Sequence, residues 1–286
     1  MIKMGETIQE VLSRASLFLQ QHNREPKIAE YLLCHHLQYT KTDLLLNLRT
    51  DLTANIINQF EQDLVVHVQT GKPIQYMVGL EQFYNRTFKV NEHVLIPRPE
   101  TEELVQHVLA MTKDMSRPLK LLDVGTGSGA IAITLKLEQP SLTVEAGDIS
   151  VSALAVAREN ADRLGAEVSF CQSDFLQYWL QQGEQVDWIV SNPPYIPWTE
   201  KKQLADTVRD FEPELALFAN DAGLAAYQQI IAQSTKVLAP GGYLAFEIGY
   251  QQGQSVKQLL KQAFPACHVR IIQDINGKDR IILAKC

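Results

Sequence analysis

The chain has few cysteines and no long apolar run, and each shortage argues against a class of protein. Its 286 residues include four cysteines, none of them in a CxxC pair. We therefore expect free thiols and neither a disulfide framework nor a metal site. No window approaches the roughly 18 consecutive apolar residues of a membrane span, and the first residues lack an apolar signal segment. The sequence predicts a cytoplasmic protein without a membrane span.

Positive charge is also in short supply. Lys and Arg number 26 against 33 Asp and Glu, which gives a formal net charge of −7 at pH 7. A protein that binds nucleic acid without sequence preference needs a basic footprint, so this balance argues against that class. There is no internal repeat and no low-complexity tract. What is present is an ordinary globular composition, in a chain long enough for one large and one small domain.

The N-terminal part of the chain has aliphatic residues at helical spacing. The stretch TIQEVLSRASLFLQQHN has a broad apolar face and begins with Thr7, a candidate N-cap with Glu10 three residues later. Two further stretches of the same kind follow, and the pattern stops at Gly71. We therefore predict a small helical bundle over residues 1–75.

Strand-like and helix-like segments then alternate. Aromatic and β-branched residues predict a two-stranded ribbon within residues 76–100, and Thr101 is the expected N-cap of the following helix. Seven strand-like runs within residues 101–286 predict an α/β domain with a mostly parallel sheet. The last two runs are joined only by NGKD, which is too short for a parallel crossover. The last strand should therefore be antiparallel.

A glycine-rich turn, DVGTGSGAIAI, follows the first strand of this domain. It contains Gly125, Thr126, Gly127, Ser128 and Gly129. Glycine lets the chain turn sharply and lets a ligand lie against the backbone, although such a turn can also serve tight packing alone. In an open α/β sheet, ligands bind at the carboxyl ends of the strands, where this turn lies.

Polar and aromatic residues also end the second and third strands. Asp148 lies about twenty residues beyond the glycine turn, where a carboxylate can accept both hydroxyls of a ribose. The alternative is a surface carboxylate that caps the next helix, a task that Ser150 can also perform. After the third strand, Asp174 can meet an adenine amino group and Phe175 can stack on the ring. Both residues can instead be ordinary loop residues.

The fourth strand runs straight into Asn192, Pro193, Pro194 and Tyr195. Each proline fixes φ and lacks an N–H, and the residue before a proline is pushed to extended conformations. The stretch should therefore form a rigid rim with free carbonyl groups. Such a rim is suited to accept hydrogen bonds from a ligand.

These motifs together resemble a class I S-adenosylmethionine-dependent methyltransferase of the branch that methylates planar nitrogens. Four further stretches, residues 73–105, 211–227, 241–256 and 274–285, look like one family within it. This is the release factor glutamine methyltransferase family, which acts in translation termination on the Gly-Gly-Gln glutamine of bacterial peptide chain release factors. The resemblance runs over residues 71–285. It implies a Rossmann-like sheet, S-adenosylmethionine as methyl donor and S-adenosylhomocysteine as product.

The resemblance also assigns roles. The implied donor-binding residues are Gly125, Thr126, Gly127, Ser128, Gly129, Asp148, Phe175 and Asn192. Asn192, Pro193 and Tyr195 are implied to be catalytic, and with Pro194 they bind the substrate. The sequence departs from the family at Phe175, where many relatives have Trp, which leaves ring stacking intact. Release factors are the implied partners, recognised mainly by the helical domain, and we expect a monomer that does not bind DNA.

The sequence leaves the roles of three charged residues open. The resemblance places Arg98 and Glu100 near donor and substrate, whereas an ion pair between domains explains them equally well, and Glu247 can be purely structural.

Two other functions remain open. A DNA adenine methyltransferase would share the Asn-Pro-Pro-Tyr motif but needs basic patches and a target-recognition insert, which are not evident. A binding module that keeps the nucleotide fold without turnover is the other alternative.

Overall fold

The structure is a computed structural model that describes residues 6–113 and 117–286, so residues 1–5 and 114–116 of the predicted domains lie outside the described residues. The helices are α1 Ile8–Gln21, α2 Ile28–Leu37, α3 Lys41–Leu46, α4 Ala54–Thr70, α5 Ile74–Val78, α6 Pro99–Thr112, α7 Ala130–Glu138, α8 Val151–Leu164, α9 Gln177–Gln182, α10 Asp206–Arg209, α11 Glu214–Leu217, α12 Asn220–Gly223, α13 Ala225–Val237 and α14 Gly253–Ala263. A 3-10 helix covers Trp198–Gln203. The strands are β1 Leu80–Phe83, β2 Arg86–Lys89, β3 Lys120–Val124, β4 Thr143–Asp148, β5 Val168–Gln172, β6 Val186–Ser191, β7 Ile196–Pro197, β8 Phe218–Ala219, β9 Leu238–Glu247, β10 His268–Gln273 and β11 Asp279–Lys285.

The chain divides into two compact units. The first comprises the residues up to Gly79 together with Asp206–Phe211, and the second comprises Leu80–Ala205 and Glu212–Cys286. No pattern in the sequence indicated that Asp206–Phe211 belongs with the N-terminal residues. The predicted segment boundaries at residues 75 and 100 stay a prediction.

The first unit is built from α1 to α5 with α10. The predicted capping box of α1 is confirmed, because the Thr7 side chain accepts a hydrogen bond from the Glu10 N–H and the Glu10 carboxylate accepts one from the Thr7 N–H. Arg24 holds the Asp206 carboxylate with two hydrogen bonds of 2.7 and 2.8 Å, which ties α10 into this unit. The core contains Ile8, Val11, Ala15, Leu19, Ala29, Leu32, Leu33, Leu44, Leu52, Phe60 and Leu64.

The second unit opens with the predicted ribbon and contains a seven-stranded sheet. β1 and β2 pair antiparallel, with Phe83 opposite Arg86. The strand order of the sheet is β10-β11-β9-β6-β3-β4-β5. β11 is antiparallel to both neighbours and the pairs from β9 to β5 are parallel, so the predicted fold class is confirmed. The loops after β3, β4, β5 and β6 therefore leave the sheet at one edge.

No helix in the described part of the chain combines the length and the apolar character needed to cross a membrane.

Candidate functional site

A cavity of about 280 Å³ lies at this edge of the sheet, within the second unit. Loops after four neighbouring parallel strands contribute to its wall, together with residues before α6 and from α11. The predicted site residues that line it are Gly125, Thr126, Gly127, Ser128, Asp148, Phe175, Asn192 and Pro194. Gly129, Pro193 and Tyr195 are not among the lining residues. Sequence motifs that lie up to 69 residues apart thus meet in one cavity, since parallel strands bring their carboxyl ends together.

The three glycines of the turn have positive φ angles but different surroundings. The N–H groups of Gly125 and Thr126 donate to the Gly147 carbonyl at 2.8 and 3.0 Å, which fixes the turn against β4. A Cβ added at Gly125 or Gly127 meets nothing within 4 Å, so the backbone there is open to a ligand. A Cβ at Gly129 would lie 2.7 Å from a side chain of α7. Glycine at positions 125 and 127 is therefore explained by close approach of a ligand, and Gly129 is explained by tight packing.

Gly147, which anchors this turn, has no room for a side chain. A Cβ there would lie 2.6 Å from the Trp179 ring, which is fully buried. We expect Gly147→Ala to lower the free energy of unfolding by about 1–3 kcal/mol through overpacking, measured by urea denaturation. Combining it with Trp179→Phe should cost less than the sum of the two single changes, because the smaller ring leaves space. Strict additivity would contradict the steric explanation.

Asp148 is fixed by the backbone on both carboxylate oxygens. Oδ2 accepts from the Gly127 N–H and Oδ1 from the Ser150 N–H, each at 2.9 Å. Burial raises the pKa of Asp148 above its ordinary value, partly offset by these hydrogen bonds. Ser150 caps α8 by accepting from the Ala153 N–H, so the helix does not need Asp148 as a cap. Each oxygen keeps lone-pair capacity for donors in the cavity.

Asp123 supports the glycine turn from within the protein. Its Oδ2 accepts from the Thr126 hydroxyl at 2.6 Å and from the Ala132 N–H at 3.2 Å. Its Oδ1 has no hydrogen-bond partner among the described residues, and burial raises the pKa of Asp123 to about 7. Sequence reasoning assigned it no role, although it is the last residue but one of β3, just before the turn.

Phe175 adopts an uncommon backbone conformation at the cavity wall. Its φ of 49° lies in the left-handed region, and its carbonyl accepts from the Ser173 hydroxyl at 2.8 Å. Asp174 lines the same cavity. Left-handed backbone in a bulky residue is strained and persists only where its surroundings enforce it.

The Asn-Pro-Pro-Tyr stretch is fixed at both ends. The Ser191 hydroxyl donates to the Val124 carbonyl at 2.6 Å, which ties the end of β6 to β3. The Asn192 amide nitrogen donates to the Thr101 hydroxyl oxygen at 3.3 Å. The Tyr195 hydroxyl lies 3.4 Å from Glu247 Oε1. Pro193 between them is buried.

The predicted N-cap role of Thr101 is wrong. α6 begins at Pro99, with Arg98 in the cap position, because proline suits the first helical position and has no N–H to leave unpaired. Thr101 lies within the first turn of α6, is 5% exposed and donates from its hydroxyl to Glu247 Oε2 at 2.6 Å. It therefore belongs to the site.

Arg98 forms an ion pair with the buried carboxylate of Glu212, which also accepts from the Ile96 N–H at 3.3 Å. Both members lie in the second unit, so the interpretation of an ion pair between domains is wrong for Arg98. The pair holds the segment that enters α6. The role of Glu100 stays a prediction.

Two residues around Tyr195 carried no assigned role in the sequence. Gln252 donates from Nε2 to the Tyr195 carbonyl at 2.9 Å. A Cβ at Gly223 would lie 2.1 Å from that same carbonyl oxygen, so only glycine allows the chain to pass there. Both belong to stretches that carry the family resemblance, but their contacts depend on folding across more than 25 residues.

Among the described residues, no cluster of three or more His, Cys, Asp or Glu is placed to hold a metal.

Comparison with known proteins gives consistent matches. Residues 101–210 match the model of the Methyltransferase small domain and residues 10–79 that of the PrmC N-terminal domain. The release factor glutamine methyltransferase of Bacillus anthracis is 46% identical over 280 residues, which cover 97% of this chain and 99% of that protein. The same-named protein of Bacillus subtilis is 43% identical over 282 residues, 98% of each chain. The solved release-factor-specific protein-(glutamine-N5) methyltransferase of Alicyclobacillus acidocaldarius is 30% identical, with a TM-score of 0.45 over 69% of this chain and 98% of that one.

Proposed function

Because the chain belongs to the release factor glutamine methyltransferase family, we propose that it methylates the glutamine side-chain amide nitrogen in the Gly-Gly-Gln motif of bacterial peptide chain release factors. The methyl donor is S-adenosylmethionine. The observation that carries this proposal is the position of Asn192, which lines the same cavity as the glycine turn and Asp148. The residues proposed to bind the methyl donor and the residue proposed to bind the glutamine amide therefore lie in one cavity.

The donor fits the residues that surround the cavity. S-adenosylmethionine supplies, when bound, a methyl group on a positively charged sulfur. The free lone pairs of Asp148 suit the two ribose hydroxyls, and the Phe175 ring suits the face of an adenine. The open backbone at Gly125 and Gly127 leaves space for the rest of the molecule. Asp174 is placed to accept from the adenine amino group.

Asn192 and Pro193 position the substrate. With its amide nitrogen directed to Thr101, Asn192 keeps Oδ1 as an acceptor, and Pro193 adds a backbone carbonyl. Together they accept both hydrogens of the glutamine –NH₂ and hold its nitrogen in line with the methyl group, about 3–3.5 Å away. Pro194 lines the cavity. Tyr195, which follows it, is assigned the role of facing with its ring the charge that passes from sulfur to nitrogen.

No general base is needed in this arrangement. An amide nitrogen is a weak nucleophile because its lone pair is delocalised, but once methylated it is strongly acidic and loses a proton to water. Fixing the nitrogen and increasing its electron density through two acceptor contacts therefore supply most of the rate. We assign these tasks to Asn192 and Pro193.

The helical unit is proposed as the main surface that recognises the release factor. Residues 10–79, most of this unit, match the PrmC N-terminal domain. We further propose that the enzyme acts as a cytoplasmic monomer and leaves DNA unmodified, which accords with its net charge of −7.

A transfer assay tests the proposal. The protein is incubated with methyl-labelled S-adenosylmethionine and, separately, with a bacterial release factor, the same factor with Gln→Ala at Gly-Gly-Gln, and duplex DNA. We expect label on the unchanged factor only. Label on DNA alone would establish the adenine methyltransferase alternative, and donor binding without transfer to any substrate would establish a binding module.

A further inference from the structure

We propose that Thr101 and Glu247 determine which way round the Asn192 amide faces, and so make the site selective for a carboxamide over a carboxylate. Both are positioning residues that act through Asn192. This inference rests on the proposed function and adds the origin of its substrate choice.

The observation is a chain of hydrogen bonds that runs from the cavity into the protein. The Asn192 amide nitrogen donates to Thr101 Oγ1 at 3.3 Å, and the Thr101 hydroxyl donates to Glu247 Oε2 at 2.6 Å. Thr101 and Glu247 are 5% and 2% exposed. Water therefore has little access to either group, and each relies on the protein for its hydrogen bonds.

The direction of this chain follows from the carboxylate. Both Glu247 oxygens face hydroxyl donors, Oε2 that of Thr101 and Oε1 that of Tyr195 at 3.4 Å. An ionised carboxylate only accepts hydrogen bonds, and a hydroxyl has a single proton. Thr101 therefore gives its proton to Glu247 and offers Asn192 only a lone pair.

Asn192 then has one favourable orientation. Its –NH₂ group must face Thr101, and its carbonyl oxygen must face away from Thr101. Reversing the amide would place Oδ1 against an oxygen that has no proton left to share, which costs about one buried hydrogen bond. Burial and the charge of Glu100 raise the pKa of Glu247, and the Thr101 and Tyr195 hydroxyls and the charge of Arg280 partly offset this rise, so the stated direction applies to the ionised carboxylate.

The orientation matters for substrate choice. With Oδ1 directed to the substrate, the site presents two acceptor oxygens, from Asn192 and Pro193, and these need two N–H donors. A glutamine amide provides both, whereas a glutamate carboxylate provides none and is repelled. A reversed Asn192 would present N–H groups and would tolerate the carboxylate. A site whose buried polar groups stay unpaired with the wrong ligand discriminates strongly.

The same carboxylate also fixes Tyr195. Because Glu247 Oε1 faces the Tyr195 hydroxyl, a single buried group controls both ends of the Asn-Pro-Pro-Tyr stretch. Loss of Glu247 should therefore disturb the ring as well as the amide.

The test compares Thr101→Val with Thr101→Ser. Valine keeps the shape of threonine and removes the hydroxyl, while serine keeps the hydroxyl. We expect Thr101→Val to lower kcat about tenfold and Thr101→Ser to recover most of the activity, with the affinity for S-adenosylmethionine by calorimetry unchanged within about twofold. Thermal melting checks that both variants fold. Equal kcat values for the two variants would overturn the inference.

The decisive readout is discrimination, which a merely structural role would not move. The release factor with Gln→Glu at Gly-Gly-Gln is tested as a competitive inhibitor of each variant. We expect its inhibition constant, relative to the KM of the unchanged factor, to fall about tenfold in Thr101→Val and to stay near wild type in Thr101→Ser. An unchanged ratio in Thr101→Val overturns the proposal.

Glu247→Gln provides a second variant in case the first folds poorly. Its side-chain amide can donate to Thr101 as well as accept, so it removes the fixed direction of the chain. We expect the inhibition constant of the Gln→Glu release factor, relative to the KM of the unchanged factor, to fall in Glu247→Gln as it does in Thr101→Val. If wild-type enzyme fails to methylate the release factor at all, the proposed function itself is wrong; if wild type is active and both variants discriminate normally, only this inference fails.

Discussion

Replacement of Asn192 with alanine is expected to lower kcat by about a hundredfold or more, while the affinity for S-adenosylmethionine changes far less. The change removes the side-chain acceptor that we propose to align the glutamine nitrogen, and it leaves the Pro193 carbonyl as the only other proposed acceptor. It also leaves the Thr101 hydroxyl oxygen without the donor it has now. Single-turnover kinetics with a saturating release factor measure the chemical step, and calorimetry measures donor binding.

Asn276→Ala is the matched control for this experiment. Asn276 is an exposed residue in the turn between β10 and β11, within the same unit as Asn192. We expect its kcat to stay within about twofold of wild type. If Asn192→Ala kept full turnover but lost donor affinity, Asn192 would serve the donor alone and the assigned positioning role would be wrong.

The arrangement of the sheet follows from short-range patterns in the sequence. Alternating strand and helix segments predict parallel pairing, and the four-residue linker NGKD leaves only a hairpin for the last strand, as the antiparallel β10–β11 pair confirms. The cavity follows from the same logic, because motifs at the ends of neighbouring parallel strands must lie together.

The hydrogen bonds and ion pairs that hold the motif residues in place join distant parts of the chain, and the sequence did not predict them. Thr101 and Glu247 are 146 residues apart, and nothing in their local sequence indicates their hydrogen bond. A threonine before an acidic turn resembles an N-cap in sequence, but the preceding Pro99 starts the helix earlier. Asp206–Phe211 likewise carries no local signal that it belongs with the N-terminal unit; its ion pair to Arg24 appears only in the fold.

Replacement of Asp148 with alanine is the second large effect that we expect, and it should fall on the donor. The carboxylate is assigned two hydrogen bonds to the ribose hydroxyls, and it also holds the Gly127 N–H at 2.9 Å. Loss of two charge-assisted hydrogen bonds should weaken S-adenosylmethionine binding about a hundredfold, measured by calorimetry. At saturating donor, kcat should change much less. Asp162→Ala, which removes an exposed carboxylate from α8, is the control and should bind donor normally.

The pH dependence of donor binding separates the charge of Asp148 from its shape. Burial raises the pKa of Asp148, so its protonation begins at a higher pH than for an ordinary carboxyl group. The protonated form is the weaker acceptor, and wild-type affinity should therefore fall as the pH falls through this raised pKa. Asp148→Asn cannot titrate and should lose that part of the dependence. Asp123 still titrates in this variant, but its pKa should lie below the wild-type value of about 7, because the charge of Asp148 helps to raise it. Identical pH profiles for wild type and Asp148→Asn would show that Asp148 is not the group that binds the ribose.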